Sequence, residues 1–274
     1  MSRIRETFAS LKRGGRGGFI PFITAGDPDI ATTELLLIEL AAAGADIIEL
    51  GVPFSDPVAD GEVIQRASER ALRKGVTLGD ALACAARAKQ RIHVPIVLFS
   101  YFNPLLKFGE EQLAKKAKQA GVDAILVTDL VPEEARTWTD TLVQCNLDPI
   151  FLVAPTTSDN RLKRIARQAR GFVYAVSRAG VTGARDEISR DAEALVKRVR
   201  SVSELPVAVG FGISTAEQVR QVWRFADAAV IGSAIVNEIQ TLGDSPDLVK
   251  RVGDFGRSLV APIHGSCTSS PALS

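Results

Sequence analysis

Two carboxylates eleven residues apart are the side chains of this sequence best suited to chemistry. Glu49 stands in the apolar run Ile47-Ile48-Glu49-Leu50. Asp60 closes the loop that follows, which Pro53, Pro57 and Gly61 constrain. A run of that kind buries every side chain it can, so a glutamate inside it is out of place unless it is used. Burial disfavours the charged form and moves a carboxyl towards neutral pH, where it can give and take a proton. A second carboxyl on a loop meets different surroundings, and two carboxyls in unlike environments can take unlike roles.

The elements that must position them follow from the apolar pattern. Runs at 18–24, 47–50, 96–100, 124–128, 149–153, 172–176, 207–210 and 228–231 are continuous, as strands buried on both faces should be. Helical stretches lie between them, among them 31–43, 110–120, 133–145 and 216–224. Two crossings repeat one signature, Ala43-Gly44-Ala45-Asp46 and Ala120-Gly121-Val122-Asp123, in which glycine stops a helix and a strand begins. Ala226-Asp227-Ala228 is a looser echo. Eight such βα units make a (β/α)8 TIM barrel, with an open doubly wound sheet as the alternative. An extra N-terminal helix is expected to close the barrel's lower end, with Ser2 as its cap and Ile4, Phe8 and Leu11 on one face. One domain over 1–263 is expected, with the aperiodic residues 264–274 expected to form a disordered tail.

In a barrel the chemistry sits where strands run into loops. Those ends offer aromatic walls from Phe22, Phe99, Tyr101 and Tyr174, which suit a flat apolar ligand with a few polar handles. Gly210-Phe211-Gly212 follows the seventh strand, and Gly232-Ser233 follows the eighth and opens a helix. Backbone N–H groups at such places bind phosphate without a cationic side chain. The stretch from Ser177 to Arg185, with two glycines and the arginines Arg178 and Arg185, suits a lid that adds Gly183 to the phosphate site, with a plain flexible connection as the alternative. Other acidic residues have plainer uses. Asp46 and Asp123 are expected at turns or caps, Asp27 and Asp56 start turns before prolines, and Asp129 bonds loop backbone. Trp138 and Trp223 are expected to pack.

Composition excludes several classes. Lys plus Arg number 33 against 32 Asp plus Glu, so no basic face for nucleic acid or anionic membrane is implied. Three scattered cysteines and two distant histidines match no metal spacing, and a reducing, cytoplasmic setting is expected. The first residues resemble neither a signal nor a transit peptide.

Five motifs, 21–28, 49–61, 177–183, 210–214 and 232–236, stand in order and at matching spacing, and together they resemble the tryptophan synthase alpha subunit family. The resemblance runs from about Phe8 to Leu259. It implies a barrel that cleaves indole-3-glycerol phosphate to indole and glyceraldehyde 3-phosphate without a cofactor of its own. It also implies a beta partner, carrying pyridoxal phosphate, in an α2β2 heterotetramer. By motif, Glu49 becomes the general acid/base, Asp60 the holder of the indole N–H, and Tyr174 the tyrosine beside the reacting side chain. Thr182 becomes the lid threonine, and Gly183, Gly212, Gly232 and Ser233 the phosphate binders. Phe22, Phe99, Tyr101, Leu126, Thr128 and Leu152 fall in the indole pocket, and Pro53 and Asp56 at the partner interface. A free-standing lyase and a non-catalytic activating barrel are the alternatives. Two departures touch the loops: Glu62 replaces the usual proline after Asp60-Gly61, and Pro132 lies one residue later than usual.

Overall fold

The computed structural model describes residues 2–176, 185–210 and 212–264. In chain order the elements are α1 (Arg3–Arg13), β1 (Gly18–Thr24), α2 (Ile30–Ala42), β2 (Ile48–Gly51), α3 (Glu62–Arg73), α4 (Leu78–Ala88), β3 (Ile96–Ser100), α5 (Phe102–Phe108) and α6 (Glu110–Gln119). They continue with β4 (Ala124–Val127), α7 (Arg136–Gln144), β5 (Asp148–Val153), α8 (Asp159–Gln168), β6 (Val173–Val176), α9 (Arg185–Arg200), β7 (Val207–Gly210), α10 (Ala216–Trp223), β8 (Ala228–Ile231), α11 (Ser233–Leu242) and α12 (Leu248–His264). The strands close in sequence order, and β1 pairs with β8 in parallel. The expected (β/α)8 barrel is therefore present, and the open sheet is excluded.

Alternation along each strand sorts side chains into two cores. Ile48, Leu50, Ile96, Leu98, Ile125 and Val127 face the surrounding helices. Ile20, Ile47, Val97, Ala124, Leu126, Ile150, Phe172, Tyr174, Ala208 and Val230 fill the barrel interior. Helix α1 closes the lower end as its sequence predicts. The Ser2 hydroxyl oxygen accepts from the Arg5 N–H, and Ile4, Phe8 and Leu11 join the interior core, with the Phe8 and Phe172 rings 5.7 Å apart.

The repeated aspartates have a sharper use than turn formation. Asp46 accepts from the Phe19 N–H at 2.9 Å, Asp123 from Ile96 N–H at 3.0 Å and Asp227 from Val207 N–H at 2.8 Å. Each carboxylate thus caps an amide near the start of the preceding strand, a donor with no ladder partner there. Trp138 is buried, and the Trp223 indole N–H donates to the Gly18 carbonyl at 2.9 Å, so both tryptophans pack. Most boundaries fall within a residue of expectation, and two shifts at helix ends have consequences. Helix α7 begins at Arg136 rather than residue 133, because Val131 accepts from the Glu134 and Ala135 N–H groups in a turn around Pro132. Helix α12 runs through His264, one residue into the expected tail; residues 265–274 lie outside the described residues. No helix among the described residues is long and apolar enough to cross a membrane.

Candidate active site

Strand parity decides which side chains meet at the upper mouth. Ile47, just before β2, and Glu49 on it face inward, whereas Ile48 and Leu50 face the helices. Glu49 pairs in register with Phe22 of β1 and Val97 of β3. Phe22, Phe99, Leu126, Leu152 and Tyr174 are the upper inward residues of their own strands, and Tyr101 and Thr128 are next above on β3 and β4. The expected pocket residues therefore come together as a layer. Phe22 and Phe99 meet edge to face at 5.2 Å.

Glu49 is fully buried, and neither carboxyl oxygen has a hydrogen-bond partner. Desolvation pushes its pKa up to about 8, so the group is mostly protonated at neutral pH. An unpaired buried polar group is costly, and a group of this kind is retained where it acts on something brought to it. Tyr174 is buried beside it; burial, then the charges of Glu49 and Asp60, hold its hydroxyl well above the usual range. The hydroxyl therefore stays neutral.

Asp60 belongs to a loop tied down at several points. The Phe54 ring lies 5.1 Å from the Tyr101 ring. The Tyr101 hydroxyl accepts from the Ala59 N–H at 2.9 Å and stands beside the Asp60 carboxylate and Thr128. Gln65 donates to the Asp60 carbonyl at 2.9 Å. Burial raises the Asp60 pKa to about 6, and the Tyr101 hydroxyl acts in the opposite direction. The two carboxyls thus sit in different environments, Asp60 ionised and Glu49 protonated over a window near neutrality. Glu62 starts α3 in its exposed first turn, where a carboxylate suits the helix dipole and pairs with Arg66 at 3.6 Å.

Gly232 is the N-cap of α11, with no side chain bonded to the helix's first amides, and Ser233 is its first residue. Gly212 has φ +29°, and a Cβ built on it would meet no protein atom within 4 Å. Free amides and open space adjoin here at the tops of β7 and β8, which suits an anion. Gly183, Arg178 and Thr182 lie outside the described residues. On the Asp60 loop Pro53 is buried and Asp56 is exposed.

Two glycines have a role that sequence reasoning missed. A Cβ on Gly210 would stand 2.4 Å from the Tyr174 hydroxyl, and one on Gly51 would stand 2.5 Å from the Phe22 ring. Both make room for pocket walls. Thr24 was also missed: its hydroxyl is buried without a partner at the top of β1. Its only sequence signal was its place at a strand end. Asp129 accepts from the Phe102 N–H at 2.7 Å, as expected of a loop-bonding residue. No cluster of metal-ligating side chains occurs among the described residues. A recess of about 930 Å³ at the opposite end, bounded by Phe8, Lys12, Trp223 and Arg224, contains none of the candidate residues.

A family model described as tryptophan synthase alpha chain matches residues 8–256. The tryptophan synthase alpha chain of Citrifermentans bemidjiense is 51% identical over 259 residues, covering 94% of this chain and 97% of that one. That of Geobacter sulfurreducens is 52% identical over 259 residues, covering 94% and 98%. The crystal structure of tryptophan synthase subunit alpha from Legionella pneumophila superposes with a TM-score of 0.90 at 36% identity, covering 96% of this chain and 99% of that one. Similarity of this extent makes the chain a member of the tryptophan synthase alpha chain family, and its reaction is the carbon–carbon cleavage of indole-3-glycerol phosphate in tryptophan biosynthesis.

Proposed function

We propose that Glu49 moves both protons of this cleavage and that Asp60 stabilises the charge that appears between the two transfers. The reaction is a retro-aldol step. Protonated Glu49 gives its proton to indole C3, and the ring becomes cationic. Ionised Asp60 accepts the indole N–H and stabilises that cation. Glu49, now a carboxylate, takes the proton of the hydroxyl on the carbon attached to C3. The electron pair of that O–H becomes the new carbonyl bond, and the C3–carbon bond breaks with its electrons returning to the ring. Indole and glyceraldehyde 3-phosphate result, and Glu49 is protonated again.

The buried, unpartnered carboxyl of Glu49 carries this assignment, since its pKa of about 8 suits an acid that must also become a base. Tyr174 lines the reacting face. The ring lies among Phe22, Phe99, Tyr101, Leu126, Thr128 and Leu152. Phosphate binds to amides at Gly212, Gly232 and Ser233, with Gly183 completing the site when the lid residues Arg178 and Thr182 close. No step needs a metal or an organic cofactor from this chain.

A beta subunit docks at the upper mouth, in an α2β2 complex in which the partner holds pyridoxal phosphate. Large apolar side chains support this surface. Val58, Leu106 and Val131 are 77%, 57% and 37% exposed on the successive segments after β2, β3 and β4, next to Asp56. Pro53 lies beneath this surface and shapes the loop. The chain works in the cytoplasm. The test is indole release from indole-3-glycerol phosphate by the isolated chain and by the chain with a cognate beta subunit. Release with Glu49 intact and its loss in Glu49→Gln are expected; equal rates in the two would refute the assignment.

A further inference from the structure

Helix α3 begins two residues after Asp60, so its placement sets where that carboxylate stands. Its first turn touches both halves of the site. Gln65 holds the Asp60 carbonyl, and Ile64 lies 3.7 Å from where a Cβ on Gly232 would be. Ala67 then packs with Phe22 and Val236 in one apolar cluster. Apolar contacts carry no direction and leave a helix free to slide along its axis.

The directional contacts that tie α3 to other elements of the barrel come from Arg66 and Arg70, further along the helix. Arg70 donates from Nε and Nη2 to the two carboxylate oxygens of Asp27, each at 2.8 Å. Asp27 is 1% exposed in the segment joining β1 to α2. The Arg70 Nη1 donates to Gln240 of α11 at 3.1 Å, and Arg66 donates to the same oxygen at 3.2 Å. A planar fork on a carboxylate fixes two distances at once, which an ammonium cannot do. Through one guanidinium, then, α3 is pinned to the β1 loop and to the helix whose N-terminus offers the phosphate amides.

We propose that Arg70 is a positioning residue for the lyase reaction, holding α3 in register with α11 so that Asp60 and the phosphate amides stay at the separation one substrate molecule must span. The proposal rests on the roles given above to Asp60, Gly232 and Ser233. Indole-3-glycerol phosphate must reach both points together, and a shift of about 1 Å in such a site can cost on the order of 10²-fold in rate. A ligand that touches only the amides is indifferent to the separation.

Arg70→Lys keeps the charge and loses the fork. The double variant Asp27→Asn with Arg70→Gln removes both charges, leaves none buried unpaired, and serves if the single variant does not fold. In the folded variant, kcat for indole release should fall about 10–100-fold. Affinity for glycerol 3-phosphate alone, read by calorimetry, should stay within about twofold. A folded variant with kcat within about twofold of the parent overturns the proposal. So does a parallel loss of kcat and glycerol 3-phosphate affinity, which would give Arg70 a general structural role. If the unaltered chain releases no indole, the underlying site assignment fails, and the proposal falls with it.

Discussion

Carboxylates stand at both mouths of this barrel, and their surroundings are opposite. At the lower mouth Asp46, Asp123 and Asp227 each accept a strand N–H and each meet a cation, Arg16, Lys89 or Arg200. At the upper mouth Glu49 is buried with no hydrogen-bond partner, and Asp60 stands beside a neutral tyrosine. A satisfied charge stabilises the fold and is inert. An unsatisfied one destabilises the fold and is available to a substrate. The same barrel thus divides stability and chemistry between its two ends.

Glu49→Gln should break this contrast most severely. Turnover should fall by at least about 10²–10⁴-fold, since the amide has similar shape but no proton to move. Its stability should move the other way at high pH. The Glu49 pKa rises from 4.5 to about 8 on folding, so the folded chain holds a proton that the unfolded chain releases. Stability from this group is complete below about 4.5 and declines as pH rises to about 8. Asp60, raised from 3.8 to about 6, contributes a decline of its own at lower pH, so urea titrations from about pH 6 to about pH 9 should show a decline in the parent that is much reduced in Glu49→Gln. A parallel pH dependence in the two would show that Glu49 is not the buried acid.

Asp60→Asn should lower kcat by about 10²–10³-fold while glycerol 3-phosphate still binds, because the charge matters most when the ring is cationic. Unchanged turnover with weakened binding would make it a plain contact. The parent should also give a bell-shaped profile of kcat/KM. Its acid limb should lie near pH 6, where Asp60 must lose its proton, and its alkaline limb near pH 8, where Glu49 must keep one. In Asp60→Asn the acid limb should disappear.

Asp123→Asn tests the other end. It weakens the cap on Ile96 and leaves the nearly buried Lys89 ammonium without its charge partner. A loss of about 1–3 kcal/mol in unfolding free energy is expected, with kcat within about twofold below the melting transition. A large kcat loss with unchanged stability would dissolve the distinction between the mouths. The smallest effect belongs to Asp56→Ala. Basal lyase rate should hardly change, whereas activation by a beta subunit should weaken; a chain that no beta subunit activates would favour a free-standing lyase.

The order of elements was legible because it is written in local chemistry. Continuous apolar runs gave all eight strands to within a residue or so, and the Ser2 cap with its apolar stripe gave the plug. Glu49 and Asp60 stood out because one was a charge in a buried run and the other sat on a constrained loop. The family motifs then supplied the names of the pocket positions. Arg70 and Gln240 gave no such signal, because each is an ordinary polar residue on a helix and they lie 170 residues apart. Gly210 was read as part of a phosphate motif and Gly51 had no reading of its own, and only the closed barrel shows the aromatic rings that need their missing side chains. Sequence by itself determined which segments are strands, which are helices and which residues can do chemistry, because periodicity and side-chain type are local. Tertiary structure decided which groups are left unpaired, which glycines make room and which helix is pinned to which, because desolvation and directional bonding depend on neighbours that only barrel closure brings together.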